Sequence, residues 1–288
     1  MSDAVRSLVA RLVDAPYGRF VGMTLVSAEP GRVQLRLDRR DDTTNRGGSL
    51  HGGVTASLLD VAGMAAARSV ASDPGAAAAT VDLAIHYLDP ARGEAVVVDG
   101  VVTRRGRDIV FVEARVTSVS GTPIARSIGV VRLGDATAAT ATPSAPACPL
   151  DAATRLVPRV SGSAFTARLG VLNAPLAPGH AVMVLPARAD LVDADGAMHE
   201  GALAALVDCA GGAAAWSIDG FDPRGRAATI GMHLSFDRTP ADEDVVVEAR
   251  TSWRAAGIFL NTVVLTARTS GRAVAAGSVT YRIVRPAS

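Results

Sequence analysis

The sequence contains no lysine and few aromatic residues, and both shortages narrow what the chain can bind. All 29 basic residues are arginines scattered along the chain, the formal net charge is +1, and aromatic residues make up 4%. A surface for nucleic acid needs basic residues gathered in a stripe, usually with aromatic side chains among them. We therefore expect no nucleic-acid partner.

Cysteine and long apolar runs are also scarce. Cys148 and Cys209 are the two cysteines, and they form neither a metal-binding motif nor a disulfide framework, which is typical of a reducing compartment. No apolar run of bilayer length escapes interruption by Asp, Arg, His or Gly, and the start of the chain has no cleavage-type signal. The sequence predicts a cytoplasmic protein with no membrane partner, no metal site and no phosphate-binding or dinucleotide motif.

The most informative segment is 45–69, with the sequence NRGGSLHGGVTASLLDVAGMAAARS. Between Gly53 and Arg68 its one charged residue is Asp60. A segment that is apolar on all sides predicts a buried helix. A lone carboxylate in such a helix is costly unless it is paired or protonated, so Asp60 needs an explanation.

The same segment recurs in the second half as MHEGALAALVDCAGGAAAWS, residues 198–217. His51 and Asp60 recur as His199 and Asp208 at a constant offset of 148 residues. A repeat of half the chain length indicates duplication of a whole domain, not a solenoid. We expect domains at 1–134 and 151–288, joined by an Ala/Thr/Pro-rich linker at 135–150.

Each half is predicted to be α+β, with an antiparallel sheet curled around a central helix. In the first half, an N-terminal amphipathic helix precedes strands predicted at 21–28, 32–38, 80–87, 95–105, 109–118 and 123–133. In the second half, a helix is predicted at 199–217 and strands at 165–171, 180–185, 227–237, 245–254, 258–269 and 273–284.

One motif joins a glycine-rich loop, a helix acid and the following strand: Asn45-x-x-Gly48-x-x-His51-Gly52-Gly53, then Asp60, then the run Thr80 to Ala91. It resembles the phenylacetate-pathway (PaaI-like) thioesterases of the hotdog fold, in which a sheet wraps a central helix. The resemblance is specific over residues 45–130 and covers both halves at the level of fold. It implies two tandem hotdog domains packed as a pseudo-dimer, with further association into a homo-oligomer.

The resemblance also implies a reaction, the hydrolysis of acyl-CoA thioesters between two hotdog units. The loop Asn and the backbone N–H after the motif His hold the carbonyl, and the opposite unit supplies the helix acid as nucleophile or general base. A strand Ser or Thr assists, and no cofactor is needed beyond the coenzyme A of the substrate. One site then joins Asn45 and Gly52 to Asp208 and Thr229, and the other joins Asp193 and Glu200 to Asp60 and Thr80, with His51, Gly53, His199 and Gly201 as substrate-binding positions.

This chemistry is reasonable without the resemblance. A thioester carbonyl gains negative charge when it is attacked, and backbone N–H groups at a helix start supply donors and the positive end of the helix dipole. Gly52 and Gly53 let a substrate approach the backbone. Burial raises the pKa of a carboxylate, which suits a general base near neutral pH.

The two predicted sites differ in two residues. Asp193 replaces Asn45, and an ionised Asp donates no hydrogen bond. Glu200 replaces Gly52, which adds a side chain and a negative charge beside the developing oxyanion. We therefore expect the site with Asn45 to be the active one and the other to be degenerate.

Simpler roles compete with these. Asp60 and Asp208 could be structural, His51 could cap a helix or act as a base, and Asn45 could stabilise its own loop. Threonines such as Thr80 are common in strands. Two other functions remain open at this point: a non-catalytic acyl-CoA-binding sensor, and a hotdog enoyl-thioester hydratase, whose Asp/His loop we do not find.

Overall fold

A computed structural model describes residues 3–73, 77–134, 154–158, 163–222, 224–237 and 242–285. The predicted linker at 135–150 lies outside these described residues, so the domain boundaries stay a prediction. The two halves of the chain nevertheless share the order of helices and strands over most of their length, which is the arrangement expected for a tandem hotdog.

The first half contains the elements that its sequence predicts, with boundaries shifted by a few residues, and also a short helix at 16–21 that the sequence does not predict. A 3₁₀ turn, Asp41–Thr43, precedes the glycine-rich loop. The other elements are helices α1 (Asp3–Val13), α2 (Pro16–Val21) and α3 (Gly52–Ser69), and strands β1 (Met23–Glu29), β2 (Arg32–Leu37), β3 (Ala78–Tyr87), β4 (Val96–Arg105), β5 (Ile109–Ser118) and β6 (Pro123–Leu133).

From its first helix onward, the second half repeats the order of helices and strands that follows α1 in the first half, and a short strand precedes that helix. Its described elements are helices α4 (Ala164–Leu169) and α5 (Glu200–Asp219), and strands β7 (Val157–Pro158), β8 (Leu172–Asn173), β9 (His180–Leu185), β10 (Arg226–Phe236), β11 (Val245–Ala255), β12 (Ile258–Ala267) and β13 (Ala273–Val284).

The strand predicted at 165–171 is wrong, because most of this segment is helix α4. The Ser163 hydroxyl accepts the N–H of Thr166 and caps the helix start. Gly170, with φ of 77°, ends it, since glycine tolerates the left-handed conformation that other residues avoid. A capping serine and a terminal glycine outweigh the short apolar pattern that favoured a strand.

The described strands form one antiparallel sheet, in the order β1-β2-β4-β5-β6-β3-β10-β13-β12-β11-β9-β8-β7. The halves meet where β3 pairs with β10, from His86 opposite Gly231 to Asp82 opposite Ser235. At this junction the His233 Nε2 atom lies 2.8 Å from Asp82 Oδ2. The sheet therefore runs continuously through both halves.

The central helices pack directly against each other inside this sheet. A Cβ added at Gly53 would lie 2.5 Å from the Cα of Ala205, so the first turn of α3 touches α5 at a distance that only glycine permits. One hydrophobic core includes residues of both helices, such as Leu58 and Leu206. Truncating either leucine to alanine should cost about 2–5 kcal/mol, and the pseudo-dimer is thus one packed body.

Helix α5 is apolar because it lies in the protein core. By length and composition, its segment Glu200–Ile218 could cross a membrane, but 78% of that window is buried within the fold. The central helix of a protein core can be as long and as apolar as a membrane helix, and packing against α3 accounts for the apolar surface of α5.

Candidate active site

The glycine-rich loop of the first half is organised by Asn45. Its Oδ1 accepts the N–H of Gly47 at 2.8 Å and that of Ser49 at 3.2 Å, and its Nδ2 donates to Ser49 Oγ at 2.7 Å. The side chain is half-buried. Asn45 therefore holds its own loop, the simpler role that the sequence left open, and one further amide hydrogen can still be donated.

The loop ends at His51, which is the N-cap of α3. Its Nδ1 accepts the N–H of Gly53 at 3.0 Å, so this nitrogen carries no proton of its own in the capped state. On the other side of the ring, Nε2 lies 3.3 Å from Thr166 Oγ1. His51 is held between the two halves of the chain by its own helix and by α4.

Asp208, on α5, reaches across to this helix start. Its Oδ2 accepts the N–H of Gly53 at 3.2 Å and lies 3.3 Å from Nδ1 of His51. Its Oδ1 accepts the hydroxyl of Thr229, on β10. Partial positive charge at the helix start stabilises an anion there. The structure thus brings together Asp208, Thr229, His51 and Gly53, which we call site A together with Asn45 and Gly52.

Gly52 is required by the closeness of the carboxylate. A Cβ at this position would lie 2.8 Å and 2.9 Å from the two carboxylate oxygens of Asp208. Gly52 is also the first residue of α3, so its N–H has no acceptor within the helix. Its carbonyl accepts the hydroxyl of Tyr87 at 3.1 Å, and burial, with a smaller effect from Asp208, raises the pKa of Tyr87 well above its usual value.

In the second site, site B, the first half supplies the helix acid and the second half supplies the loop. Site B consists of Asp60, Thr80, Asp193, His199, Glu200 and Gly201. Thr80 Oγ1 donates to Asp60 Oδ1 at 2.7 Å. His199 Nδ1 accepts the N–H of Gly201 at 2.9 Å and lies 4.0 Å from Asp60 Oδ2. The two predicted acid–threonine pairs are therefore both formed, and each lies beside the capping histidine of the opposite half.

The loop of site B keeps the form of the Asn45 loop with different chemistry. Asp193 Oδ1 accepts the N–H of Asp195 at 2.8 Å and that of Ala197 at 2.9 Å. These bonds correspond to the ones that Asn45 accepts. Ser49, which accepts from the Asn45 amide, is replaced by Ala197, so the Asp193 loop lacks both the amide donor and its hydroxyl partner. The fold of the loop needs only the acceptor.

Burial controls the protonation of site B. It raises the pKa of Asp60 from 3.8 to about 6, against the opposing effect of the Thr80 hydrogen bond. It also lowers the pKa of His199 from 6.5 to about 4. The pKa increase expected for a helix carboxylate is thus present at Asp60. His199 is neutral at pH 7, as its capping role requires.

A cavity that is open to solvent lies at site B, with about 430 Å³ of empty space when the adjoining open solvent is included. Its lining includes Asp60, Asp193, Asp195 and Glu200, and its cationic side chain, Arg68, lies 3.4 Å from Asp195. A site at which oxyanion charge develops needs donors and positive potential. The cavity provides space, but its lining places four acidic residues beside one arginine, so its size does not make site B the better catalytic site.

Asp60, His199 and Glu200 also form a group of potential metal ligands. One ligand atom from each lies within 4.8 Å of the others, at a place where the sequence predicted no metal site. Because Nδ1 of His199 already accepts the Gly201 N–H, an ion bound through that nitrogen would have to break the helix cap.

Sequence reasoning missed the aromatic residues that cross between the halves. Tyr17 stacks on His199 with ring centroids 4.7 Å apart, and Phe165 lies 5.1 Å from His51. The two aromatic residues are related by the same offset of 148 residues, and that signal could have paired them. The Tyr17 hydroxyl also lies 2.8 Å from Ser57 Oγ, a contact that Phe165 cannot make at site A.

Comparison with known proteins identifies the family of the chain. A family model for the thioesterase superfamily matches residues 47–125, and one for the acyl-CoA thioesterase C-terminal domain matches residues 137–278. Acyl-coenzyme A thioesterase 13 of Homo sapiens is 32% identical over 139 residues, which cover 47% of this chain and 98% of the relative.

Two solved structures share the fold over nearly the whole chain. A hotdog-fold protein of Alicyclobacillus acidocaldarius superposes with a TM-score of 0.70 at 16% identity, covering 96% of this chain and 98% of that one. An acyl-CoA thioesterase II of Mycobacterium marinum superposes with a TM-score of 0.67 at 18% identity, covering 97% and 99%. At such identities the likeness is one of fold.

The chain therefore belongs to the thioesterase superfamily, and its two matched regions make it an acyl-CoA thioesterase with the hotdog fold. The α+β architecture of two tandem hotdog domains is confirmed.

Proposed function

We propose that site A hydrolyses acyl-CoA thioesters, with Asp208 of the second half acting on a substrate held by the loop of the first half. The observation that carries this proposal is the position of the Asp208 carboxylate at the start of α3, 3.2 Å from the N–H of Gly53. A carboxylate and a helix start, contributed by different halves, meet where a thioester could be both polarised and attacked.

The substrate carbonyl is placed against the backbone at Gly52. The Gly52 N–H, with no acceptor in the helix, donates to the carbonyl oxygen, and the free amide hydrogen of Asn45 adds a second donor. A substrate atom resting where a Cβ would lie at Gly52 is within about 3 Å of both Asp208 oxygens, as that Cβ would be. Such donors stabilise charge that develops only during attack.

Asp208 then serves in one of two ways. As a nucleophile, a carboxylate oxygen bonds to the carbonyl carbon, the carbon–sulfur bond breaks, and the coenzyme A thiolate leaves and takes a proton from solvent. Water then hydrolyses the resulting anhydride, which releases the carboxylic acid, regenerates the Asp208 carboxylate and returns one proton to solvent. As a general base, the carboxylate takes a proton from water while the water oxygen bonds to the carbon, and the thiolate leaves with that proton.

Thr229 positions the carboxylate in both versions. Its hydroxyl donates to Oδ1, while Oδ2 lies towards the helix start and the Gly53 N–H. A carboxylate fixed through one oxygen has less rotational freedom, which favours a reactive geometry. His51, capping the helix through Nδ1, keeps the backbone donors aligned and is assigned no proton transfer.

Site B is proposed to bind ligand without efficient turnover. Asp193 offers no amide donor, and Glu200 replaces the glycine against which the carbonyl would rest. This difference favours the second candidate function, acyl-CoA binding without hydrolysis, for site B alone.

We also propose that whole chains associate into a homo-oligomer in the cytoplasm. Light scattering on the purified chain tests the association, and a strict monomer at micromolar concentrations contradicts it.

The experiment for the proposed function is thiol release from a panel of acyl-CoAs that differ in chain length and in aromatic character. We expect steady release of free coenzyme A with at least one of them, and much less with Asp208→Asn. Binding without thiol release would favour the sensor. Addition of water to an enoyl-CoA with the thioester intact would favour the hydratase.

A further inference from the structure

An aromatic and basic cluster lies beside site A. The Arg46 guanidinium lies 4.4 Å from the ring centroid of Phe221, and Phe221 meets Trp216 edge-on at 5.1 Å. The Arg285 guanidinium lies 5.8 Å from the Trp216 ring. We call these four residues the rim of site A. In a chain with 4% aromatic residues, two of them meet two arginines here.

The rim joins residues from both halves, and both of the elements that contribute to it also contribute to site A. Arg46 follows Asn45 directly in the loop of the first half. Trp216 follows Asp208 by eight residues on α5, which is about 12 Å along the helix axis. The contacts of the rim thus join the loop that would hold the carbonyl to the far end of the helix that carries the acid. A ligand extending from site A along α5 would meet it.

Exposure distinguishes three of the rim residues from the core, whereas Trp216 is half-buried against a cluster that includes Phe259 and Ile283. Phe221 is 52% exposed, and Arg46 and Arg285 are exposed as well. A ring this exposed contributes little to core burial, whereas an exposed aromatic ring beside guanidinium groups suits a planar, anionic ligand. Nucleotide bases stack on aromatic rings, and guanidinium groups bind phosphates in a bidentate manner.

We infer that the rim binds the nucleotide end of coenzyme A, with the adenine stacked on the aromatic pair and the phosphates held by Arg46 and Arg285. This inference rests on the proposed function of site A, because the pantetheine arm must link the nucleotide to a thioester at Asp208. The chain then recognises both ends of its substrate, the nucleotide at the rim and the thioester at Asp208.

The corresponding rim of site B lacks this chemistry. At the offset of 148 residues, Ala194 takes the place of Arg46, Arg68 that of Trp216 and Asp73 that of Phe221. Asp195 replaces Gly47 and pairs with Arg68 at 3.4 Å. This second rim has no aromatic residue at these positions, and its two carboxylates repel phosphates. An acyl-CoA bound at site B would therefore lack this nucleotide contact, and the isolated nucleotide binds at one place per chain, the rim of site A.

A purely structural role for the rim makes different predictions. Arg285 donates to the carbonyl of Gly220 at 3.3 Å, so the rim also fastens the segment after α5. If that is its full role, removing Phe221 changes the melting temperature but leaves nucleotide affinity unchanged. The inference requires the opposite pattern.

Binding of adenosine 3′,5′-bisphosphate to the full chain tests the inference by calorimetry. We expect one site per chain in the wild type and in Asp208→Asn, with affinity at least tenfold weaker in Phe221→Ala and in Arg46→Ala. Phe221→Trp should restore stacking. Asp73→Ala, at the corresponding position of site B, is the matched control and should bind as the wild type does. Unchanged affinity in Phe221→Ala and Arg46→Ala would overturn the inference.

Kinetics provide the second readout. For an acyl-CoA, KM should rise at least tenfold in Phe221→Ala with kcat nearly unchanged. For the matching N-acetylcysteamine thioester, which has no nucleotide, the change in KM should be much smaller. Equal losses with both substrates would overturn the inference. Binding of the bisphosphate needs no turnover, so it can be measured even if the chain hydrolyses no thioester. Failure of hydrolysis would then contradict the proposed function alone, and loss of the rim's effect on binding would contradict the inference alone.

Discussion

The carboxylate of Asp208 accepts a hydrogen bond from the backbone N–H of Gly53, a residue 155 positions earlier in the chain. This one bond links the helix of the second half to the helix start of the first. It is made possible by glycine at 52, because a side chain there would collide with the carboxylate. The predictions below depend on this arrangement or on its weaker counterpart at Asp60.

Asn45→Asp should separate the two roles of Asn45. Aspartate at the corresponding position 193 already accepts two loop N–H groups, so the substituted loop should keep its fold. It loses the amide hydrogens, however, and gains a negative charge near the oxyanion. We expect kcat/KM to fall on the order of a hundredfold or more, as for a lost oxyanion donor, with a melting temperature near that of the wild type.

The control for this substitution is Asp193→Asn, which makes the reverse exchange in site B. It should change neither turnover nor stability by much. If folded Asn45→Asp kept full activity, Asn45 would be a loop residue only, and the backbone N–H of Gly52 would have to hold the carbonyl alone.

Site B should be partly repaired by restoring the two residues that distinguish site A. In the Asp208→Asn background, Asp193→Asn with Glu200→Gly supplies an amide donor and removes the side chain from the helix start. We expect thiol release to rise at least severalfold above that of Asp208→Asn alone. The added substitution Asp60→Asn should abolish the gain. No rise in a correctly folded protein would mean that other differences inactivate site B.

Asp60→Asn should stabilise the protein at neutral pH. The pKa of Asp60 is raised to about 6 in the folded state from an ordinary 3.8, so above pH 6 the folded protein bears the full cost of a buried charge. Removing that charge should add roughly 2–3 kcal/mol to the free energy of unfolding. The asparagine oxygen can still accept the Thr80 hydroxyl.

The pH dependence follows from the same pKa. As the pH falls from 6 towards 4, the folded wild type takes up a proton that the unfolded chain still lacks, so its stability approaches that of Asp60→Asn. Below the unfolded value the advantage disappears. Thermal melts at pH 7.5 and 4.5 measure this difference. An Asp60→Asn protein that melts lower than the wild type at pH 7.5 would contradict the account.

The halves should not be stable alone. Separation leaves the edges of β3 and β10 unpaired and exposes the helix faces that meet at Gly53 and Ala205. We expect each half to be insoluble or to self-associate, because an open apolar sheet edge favours pairing with another copy. Sedimentation and thermal melts of the separate halves check this, and a soluble monomer with a cooperative transition would count against the single packed core.

The sequence predicts those features that follow from local patterns. Asp60 and Asp208 stand out because a charge in an apolar helix is costly, and the repeat relates them without any structure. It could not predict the pairing of β3 with β10, since a sheet junction depends on how two curved surfaces dock. The contact of Phe165 with His51 was hidden for the same reason, and its segment was also predicted to be a strand.

The central claim is that catalysis crosses between the halves, and comparing Asp208→Asn with Asp60→Asn tests it most directly. Both proteins are first shown to be folded by thermal melts, and thiol release is then measured with the best acyl-CoA. The account predicts a loss on the order of a hundredfold or more for Asp208→Asn and a small effect for Asp60→Asn. Full activity in Asp208→Asn together with an inactive Asp60→Asn would contradict it and place the reaction at Asp60.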